Sequence, residues 1–320
     1  MAITRARDRA RALATVALGA MIVAASGCSS GGAGAAAGPT GLPSIAPTVV
    51  STPSTPAATG VIPLPTELPI SIDYEDAMRL FDYDRARPFD IVEKSVRNQG
   101  GVAIHDITYA QASGARTQAY LVVPPGEGPF GGVMYLHGAY GGSSDFLDEA
   151  IDLASHGVAS LLINQPEWKS DPSTHAEAVS EIVFEMRELR RSLDLLASQP
   201  EVDPGRLGFV GFSFGAIRGG TFAGIEGKRL KVAVLMSTPP SYGLDYMAPF
   251  DPIVWAPRVS PAALYVQEGS QDSWFTHDEA ESLIAAAHNP KKLAWYDAGH
   301  GLNKDAYADR LAWLEQALGT

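Results

Sequence analysis

The sequence predicts an α/β domain with a mostly parallel central sheet and helices on both faces. Three observations support this prediction. The segments that look like strands are continuous apolar runs without polar alternation, as expected for strands buried on both faces. Segments with helical spacing of apolar residues separate most of these runs. The chain has 320 residues, of which 46% are hydrophobic, so it can bury one large core.

The elements follow one another from about residue 71 to the end, and we treat 71–320 as one domain. An early pair of strands is joined by the turn "SGAR", and the first long helical pattern stops at Gly157. Right-handed crossovers bring the loops after parallel strands to one edge of the sheet, where a site is expected. We predict strands at 102–110, 119–124, 131–138, 158–165, 206–212, 231–237, 262–269 and 292–299, and helices at 145–157, 174–198, from Ser213 onward, 277–288 and 305–318.

Residues 1–27 have the pattern of an export signal. Four arginines lie within residues 5–11, and an uncharged apolar stretch over 13–25 follows them. The next residues, "ASGC", end at Cys28 and resemble the lipobox of bacterial lipoproteins, which implies that Cys28 is lipidated after cleavage. The alternative is an ordinary secretory signal. We therefore expect a location outside the cytoplasm, either lipid-anchored to the outer face of the cytoplasmic membrane in the cell envelope or secreted.

Residues 28–70 are predicted to be a disordered tether, because Ala, Gly, Ser, Thr and Pro dominate them and aromatic residues are absent. The formal net charge of −12 argues against nucleic acid or an anionic membrane surface as a partner. Membrane contact is expected only through a lipid at Cys28. Cys28 is also the only cysteine, so an internal disulfide is excluded.

The stretch "GFSFG" places Ser213 between a predicted strand and a predicted helix. This is the context of a nucleophile elbow, in which a sharp turn exposes a serine above the sheet edge. The alternative is an ordinary tight turn with an inactive serine. A serine becomes a good nucleophile only when a base takes its proton, so the remaining chain has to supply that base.

His300, in "YDAGHG" after the last predicted strand, is the candidate base. His277 and His288 lie in or beside a predicted helix and are expected at the surface. A carboxylate that orients the histidine should follow a strand between the serine and the histidine. Asp272 on the loop "GSQD" is favoured over Glu268, which lies within the end of the strand.

An oxyanion hole requires two backbone N–H groups directed at one point. Phe214, which follows the candidate nucleophile, supplies one. The other is expected from the early strand end "LHGAYGG", at Ala139 or Tyr140. The alternative for this stretch is a plain glycine-rich turn.

The chain order Ser213, Asp272, His300, with His137-Gly138 upstream, resembles the α/β-hydrolase fold family over about residues 100–320. The stretch "HDITYAQASGARTQAYLVVP" and the "GSQD" loop resemble its dienelactone-hydrolase-like and acetyl-esterase-like branch. Dienelactone hydrolases themselves use a cysteine where this chain has serine. The resemblance implies acyl transfer from a small-molecule ester through an acyl-enzyme, with no metal and no cofactor.

Tyr140 and Trp274 are expected to line the substrate pocket, because they neighbour the oxyanion strand and the candidate acid. The segment 238–260 either forms a lid or is a surface loop whose aromatic residues pack on the core. Arg218, inside the helix after the serine, either pairs with a buried carboxylate or binds an acidic substrate.

The sequence favours an esterase for small to medium acyl groups. A peptidase or an acyltransferase with the same three residues is a second interpretation, because a triad does not fix the leaving group or the acceptor. A catalytically silent substrate-binding lipoprotein is a third, although a binding protein has no need of all three groups.

Overall fold

The computed structural model describes residues 74–165, 174–243 and 245–319. The nine strands in these residues are β1 (Val92–Gln99), β2 (Val102–Ala110), β3 (Arg116–Val123), β4 (Phe130–Leu136), β5 (Val158–Ile163), β6 (Val202–Phe212), β7 (Leu230–Met236), β8 (Ala263–Gly269) and β9 (Lys291–Tyr296). They form one sheet, in the order β1-β2-β3-β5-β4-β6-β7-β8-β9.

The predicted signal segment 1–27, Cys28 and the predicted tether 28–70 lie outside the described residues. They therefore remain predictions. Among the helices that the structure does describe, none has both the length and the apolar character needed to cross a membrane.

The sheet is parallel where the candidate site lies. Strands β4 to β9 pair in parallel, whereas β1, β2 and β3 form antiparallel pairs, and β3 joins the parallel part by antiparallel pairing with β5. The carboxyl ends of β6, β7, β8 and β9 therefore lie along one edge. This is the mostly parallel sheet that the sequence predicts.

Helices cover both faces of the sheet, and they use alternate residues of each strand. Met134 and Leu136 of β4 belong to the core on one face, whereas Val133 and Tyr135 belong to the core on the other. The helices are α1 (Tyr74–Leu80), α2 (Leu147–Ser155), α3 (His175–Ala197), α4 (Phe214–Glu226), α5 (Pro252–Trp255), α6 (His277–Ala286) and α7 (Lys304–Leu318). In the described residues, α3, α4 and α6 pack on the first face and α2 and α7 on the second.

The helix starts have local causes in the sequence. Thr174 accepts the N–H of Glu177, whose carboxylate accepts the N–H of Thr174, and this capping box starts α3. Thr276 and Glu279 form the same box at α6. The side chain of Asn303 caps the first turn of α7.

The predicted strands and helices match the observed ones to within a few residues at their ends. Strand β1 and helices α1 and α5 were not predicted. All eight residues of β1 are exposed, so no apolar pattern marks them as a strand. It pairs with β2 through a hairpin at Gly100 and Gly101, which both have positive φ.

Candidate active site

Ser213 lies at a strained turn between β6 and α4. Its backbone has φ 51° and ψ −117°, a conformation that non-glycine residues rarely adopt. The N–H of Ser213 donates to the carbonyl of Met236 at 2.8 Å, which ties the turn to the end of β7. The backbone is thus held so that the side chain stands at the carboxyl edge of the sheet.

The two glycines of the "GFSFG" stretch allow this turn because other backbone lies against them. A Cβ at Gly211 would lie 2.6 Å from the carbonyl oxygen of Gly215. A Cβ at Gly215 would overlap the carbonyl oxygens of Leu136 and His137. The start of α4 therefore packs directly against the end of β4, which only residues without a side chain permit.

The structure brings Ser213, His300 and Asp272 together in one chain of hydrogen bonds. Ser213 Oγ lies 2.8 Å from His300 Nε2, and His300 Nδ1 lies 2.7 Å from Asp272 Oδ2. A carboxylate can only accept, so Nδ1 carries a proton and Nε2 is the atom that accepts from the serine hydroxyl. This geometry is suited to proton removal from Ser213 by His300.

Asp272 is fixed on both of its oxygens. While Oδ2 faces His300, Oδ1 accepts the N–H of Trp274 at 2.7 Å. The Asp272 side chain is 2% exposed, whereas the His300 side chain is 25% exposed. The carboxylate is therefore shielded from water, and the imidazole remains accessible from solvent.

Glu268, the alternative acid, makes a different contact. Its Oε1 accepts the N–H of Thr238 at 2.9 Å, and its side chain is buried. Burial raises the pKa of Glu268 to about 8, with the charge of Asp272 a smaller cause in the same direction. The raised pKa favours the protonated form of Glu268 at neutral pH, and the hydrogen bond to His300 is made by Asp272.

His137 organises the loop that carries Ala139 and Tyr140. Its Nδ1 lies 2.7 Å from the carbonyl oxygen of Gly138, and its Nε2 accepts the N–H of Gln165 at 3.0 Å. These partners fix a neutral ring with the proton on Nδ1. Burial lowers the pKa of His137, which also favours the neutral form.

The fixed carbonyl of Gly138 sets the direction of the next N–H. Gly138 O accepts from both His137 Nδ1 and the N–H of Gly141, the latter at 3.2 Å. In a planar trans peptide the C=O and the following N–H point in opposite directions, so the N–H of Ala139 points away from these donors. Gly138 itself lies against the elbow, since a Cβ there would be 3.4 Å from the Cβ of Ser213.

Phe214, the other predicted oxyanion donor, is the first residue of α4. N–H groups in the first turn of a helix point out of its N-terminus, and the helix dipole makes this end favourable for negative charge. The N–H of Phe214 therefore belongs to a positive helix end directly beside Ser213.

Aromatic rings surround His300. The rings of Phe212, Trp274 and Phe275 have their centroids 5.3, 6.2 and 5.5 Å from that of His300. Trp274 is 39% exposed and Tyr140, which has φ 61°, is 76% exposed. The two predicted pocket residues are thus among the large exposed side chains of the described residues, as a substrate-contacting role requires.

The segment 238–260 packs largely on the core. Met247, Phe250 and Trp255 are buried, and the rings of Phe250 and Trp255 contact that of Phe81. Position 244 and the side chains of residues 245 and 246 lie outside the described part of the chain. For the three buried residues, the core interpretation is the correct one.

Arg218 pairs with a buried carboxylate, one of the two alternatives that the sequence left open. Its Nε donates to Glu185 of α3, and both side chains are almost fully buried. The guanidinium carbon also lies 3.5 Å from the centroid of the Phe214 ring, one helical turn earlier. Arg218 thus supports the start of α4 from inside the protein.

The two competing histidines, His277 and His288, are both exposed, as expected. His277 begins α6, and its ring stacks on Trp295 with centroids 3.9 Å apart. His105 and His156 form surface pairs with Glu93 and Glu315. In the part of the chain that the structure describes, no group of three or more His, Cys, Asp or Glu side chains is arranged to hold a metal ion.

Sequence reasoning missed Ser237, Phe212 and Phe275, which contact His300. A signal existed for Ser237, because it is the last residue of the parallel strand predicted at 231–237 and so reaches the carboxyl edge of the sheet. The ring contacts had no comparable signal, since aromatic residues near a strand end are equally common in cores.

The sheet, its crossovers and the elbow between β6 and α4 define the α/β-hydrolase fold. Solved structures with this architecture align over most of the described chain. Acetyl xylan esterase 1 from a Thermoanaerobacterium species has a TM-score of 0.65 at 16% identity, covering 76% of this chain and 94% of its own. Dienelactone hydrolase from Anabaena variabilis has a TM-score of 0.54 at 18% identity, and the alignment covers 68% of this chain and 99% of that structure's chain. These similarities show the fold.

The family follows from the sequence itself. The model of the dienelactone hydrolase family matches residues 117–316, which is more than half of the chain. The protein belongs to the dienelactone hydrolase family, as the resemblance of its motifs predicted.

Curated relatives match a shorter part. Acyl-coenzyme A amino acid N-acyltransferase 1 of Mus musculus is 34% identical over 106 residues, covering 33% of this chain and 24% of its own. Acyl-coenzyme A thioesterase 6 of Mus musculus is 34% identical over 101 residues, which are 32% of this chain and 22% of the thioesterase. The chain therefore spans about a quarter of the length of these two relatives.

Proposed function

We propose that this protein is a serine esterase that cleaves carboxylic esters of small to medium acyl groups. The observation that carries the proposal is the chain of two hydrogen bonds from Ser213 through His300 to Asp272, at 2.8 and 2.7 Å. Membership of a hydrolase family supports it.

In the proposed reaction, Ser213 Oγ attacks the ester carbonyl carbon while His300 Nε2 takes its proton. The ester C=O becomes a tetrahedral oxyanion. When it collapses, the bond to the alcohol oxygen breaks, and His300 returns the proton to the departing alcohol. Water then attacks the acyl-enzyme with His300 again as base, and the acid is released.

The oxyanion is stabilised in this proposal by the N–H of Phe214 together with that of Ala139 or Tyr140. The orientation of the Gly138–Ala139 peptide supports Ala139, because its N–H points away from the anchors of the Gly138 carbonyl. In a serine hydrolase, loss of one preorganised oxyanion donor raises the activation free energy by about 3–4 kcal/mol.

The place of action is also part of the proposal. The export pattern of residues 1–27 and the lipobox-like "ASGC" support an enzyme of the cell envelope, lipid-anchored through Cys28 or secreted. Its substrates would then be small-molecule esters that reach the outside of the cytoplasmic membrane.

Hydrolysis of p-nitrophenyl acetate, butyrate and octanoate tests the proposal, with the full chain compared with its Ser213→Ala variant. We expect the variant to lose turnover by more than about 10³-fold, because the remaining groups cannot form the acyl-enzyme. The dependence of the hydrolysis rate on acyl chain length measures the size of the acyl pocket. Equal rates for both proteins would overturn the proposal and favour a binding protein.

A second candidate function is cleavage or transfer of acyl groups from thioesters. The local similarity to an acyl-coenzyme A thioesterase and to N-acyltransferases favours it. The same three residues serve either reaction, since the acyl-enzyme step is common to esters and thioesters.

Parallel assays with acetyl-coenzyme A separate the two candidates. Release of free thiol is followed in water alone and with glycine added as acceptor. A higher kcat/KM for acetyl-coenzyme A than for p-nitrophenyl acetate would favour the thioester function. Formation of N-acetylglycine would identify a transferase.

A further inference from the structure

Ser237 is the residue that directly follows β7, and its position is unusual. It is fully buried, and its backbone has φ 51°, in the left-handed region that favours glycine. Residues that carry a Cβ are disfavoured in this conformation. The presence of serine here therefore calls for a use of its hydroxyl group.

The hydroxyl group of Ser237 reaches the loop of the candidate base. Ser237 Oγ donates to the carbonyl oxygen of His300 at 2.7 Å. Strand β8 lies between β7 and β9 in the sheet, so this bond crosses over the end of one strand to join two others. It acts on the main chain of His300, while the imidazole nitrogens of His300 are engaged with Ser213 and Asp272.

Main-chain atoms of residues 236–238 also form hydrogen bonds with the elbow of Ser213 and with the end of the strand that precedes Asp272. The carbonyl of the preceding Met236 accepts the N–H of Ser213 at 2.8 Å, and the N–H of Ser237 donates to Gln267 O at 2.9 Å. The N–H of the following Thr238 donates to Glu268 at 2.9 Å, four residues before Asp272. Residues 236–238 thus connect the three loops that carry the candidate nucleophile, acid and base.

We propose that Ser237 is a positioning residue for catalysis: its hydroxyl group fixes the main chain of His300 relative to the elbow of Ser213. The inference rests on the proposed function, because positioning has meaning only if His300 is the base. Proton transfer from Ser213 requires a short and well-aligned contact, and a misplacement of about 1 Å can lower the rate about 10²-fold.

Two substitutions at Ser237 distinguish the effect of losing the hydroxyl group from the effect of the left-handed backbone conformation. Ser237→Ala removes the hydroxyl and keeps a side chain in the left-handed region. Ser237→Gly also removes the hydroxyl but relieves the backbone. Thr238→Val is the matched control, because the Thr238 hydroxyl is buried in the same segment and donates only locally, to Pro239 O at 3.3 Å.

We expect both Ser237 variants to lower kcat for p-nitrophenyl acetate by about 10- to 100-fold, with KM changed by less than about threefold. Thr238→Val should retain the wild-type kcat. A merely structural role would instead lower the thermal midpoint and leave kcat of the folded enzyme unchanged. Ser237→Asn, which tolerates the left-handed region and can donate a hydrogen bond, should recover part of the lost kcat.

The glycine variant decides the outcome. A kcat of Ser237→Gly equal to that of the wild type would overturn the proposal, because the hydroxyl would then be dispensable. If the glycine variant does not fold, Ser237→Ala decides instead, and a wild-type kcat in that variant would equally overturn the proposal. The proposed function fails separately, when Ser213→Ala hydrolyses p-nitrophenyl acetate as fast as the wild type.

Discussion

At the scale of single residues, two neighbouring carboxyl groups have different surroundings. Asp272 is held by the N–H groups of Trp274 and His300 and pairs with the imidazole. Glu268, with one backbone partner and little access to water, has a pKa of about 8. Environment, not residue type, therefore decides which of the two candidate acids serves His300.

This difference predicts the effects of two matched substitutions. Asp272→Asn should lower kcat for p-nitrophenyl acetate by about 10³- to 10⁴-fold, because an amide stabilises neither the required tautomer nor the imidazolium. Glu268→Gln should change kcat little at pH 7, since an amide resembles the protonated carboxyl that is already there. Steady-state kinetics of both variants check this.

The reverse ranking would contradict the assignment of the acid. If Glu268→Gln lost the greater part of kcat while Asp272→Asn remained active, Glu268 would be the group that serves His300.

At the scale of elements, the sequence predicted the site because of how parallel strands end. Continuous apolar runs marked β4 and β6 to β9, and the residues after them had to meet at one edge. Ser213, Asp272 and His300 could therefore be chosen from the G-x-S-x-G motif, from their places after predicted strands and from their order in the chain. The elbow was equally visible in the GFSFG motif, and the structure gives the reason for its second glycine: a Cβ at Gly215 would overlap the end of β4.

Other elements could not be predicted, for physical reasons. Strand β1 is exposed on both faces and holds its place through main-chain pairing with β2, which leaves no mark in the side-chain pattern. The contact of Ser237 with His300 depends on which way one hydroxyl group turns at a strained backbone position. The choice between a lid and a core segment at 238–260 depended on packing against α1 and α4, which the sequence does not encode locally.

The buried pair between α3 and α4 gives a prediction at this scale. Glu185→Leu removes the carboxylate from the Arg218 guanidinium and should lower the free energy of unfolding by about 3–5 kcal/mol. Adding Arg218→Met should recover much of that loss, because no buried charge is then left behind. Urea unfolding of the two single variants and the double variant measures this coupling.

If the losses of unfolding free energy in Glu185→Leu and Arg218→Met simply add up in the double variant, the two side chains do not form a direct pair. The assay of p-nitrophenyl acetate adds a second readout, because the guanidinium also supports the Phe214 ring at the start of α4.

At the scale of the whole molecule, three buried carboxyl groups make stability depend on pH. Burial raises the pKa of Glu188 and of Asp251 to about 7 and that of Glu268 to about 8. In the unfolded chain, carboxyl groups have pKa values of about 4. Between about pH 4 and the raised pKa values, the folded protein therefore binds more protons than the unfolded chain. The stabilisation from these protons is complete below about pH 4 and is lost as pH rises to about 8.

We therefore expect the free energy of unfolding to fall from about pH 5 to about pH 8 through these three groups, by at most about 1.4 kcal/mol per pH unit for each. Glu268→Gln should make this dependence flatter, because an amide does not titrate. Urea unfolding at several pH values tests this, with the exposed Glu127→Gln as the control. An unchanged slope in Glu268→Gln would show that Glu268 does not carry the raised pKa.

The central claim is that Ser213 is the nucleophile, and covalent labelling tests it most directly. A fluorophosphonate probe is added to the full chain, which is then digested with trypsin and analysed by mass spectrometry. Cleavage after Arg206 and Arg218 releases "LGFVGFSFGAIR", in which Ser213 is the only hydroxyl side chain. We expect the label on this peptide and its absence in Ser213→Ala. Labelling of another peptide, or equal labelling of the variant, would contradict the assignment.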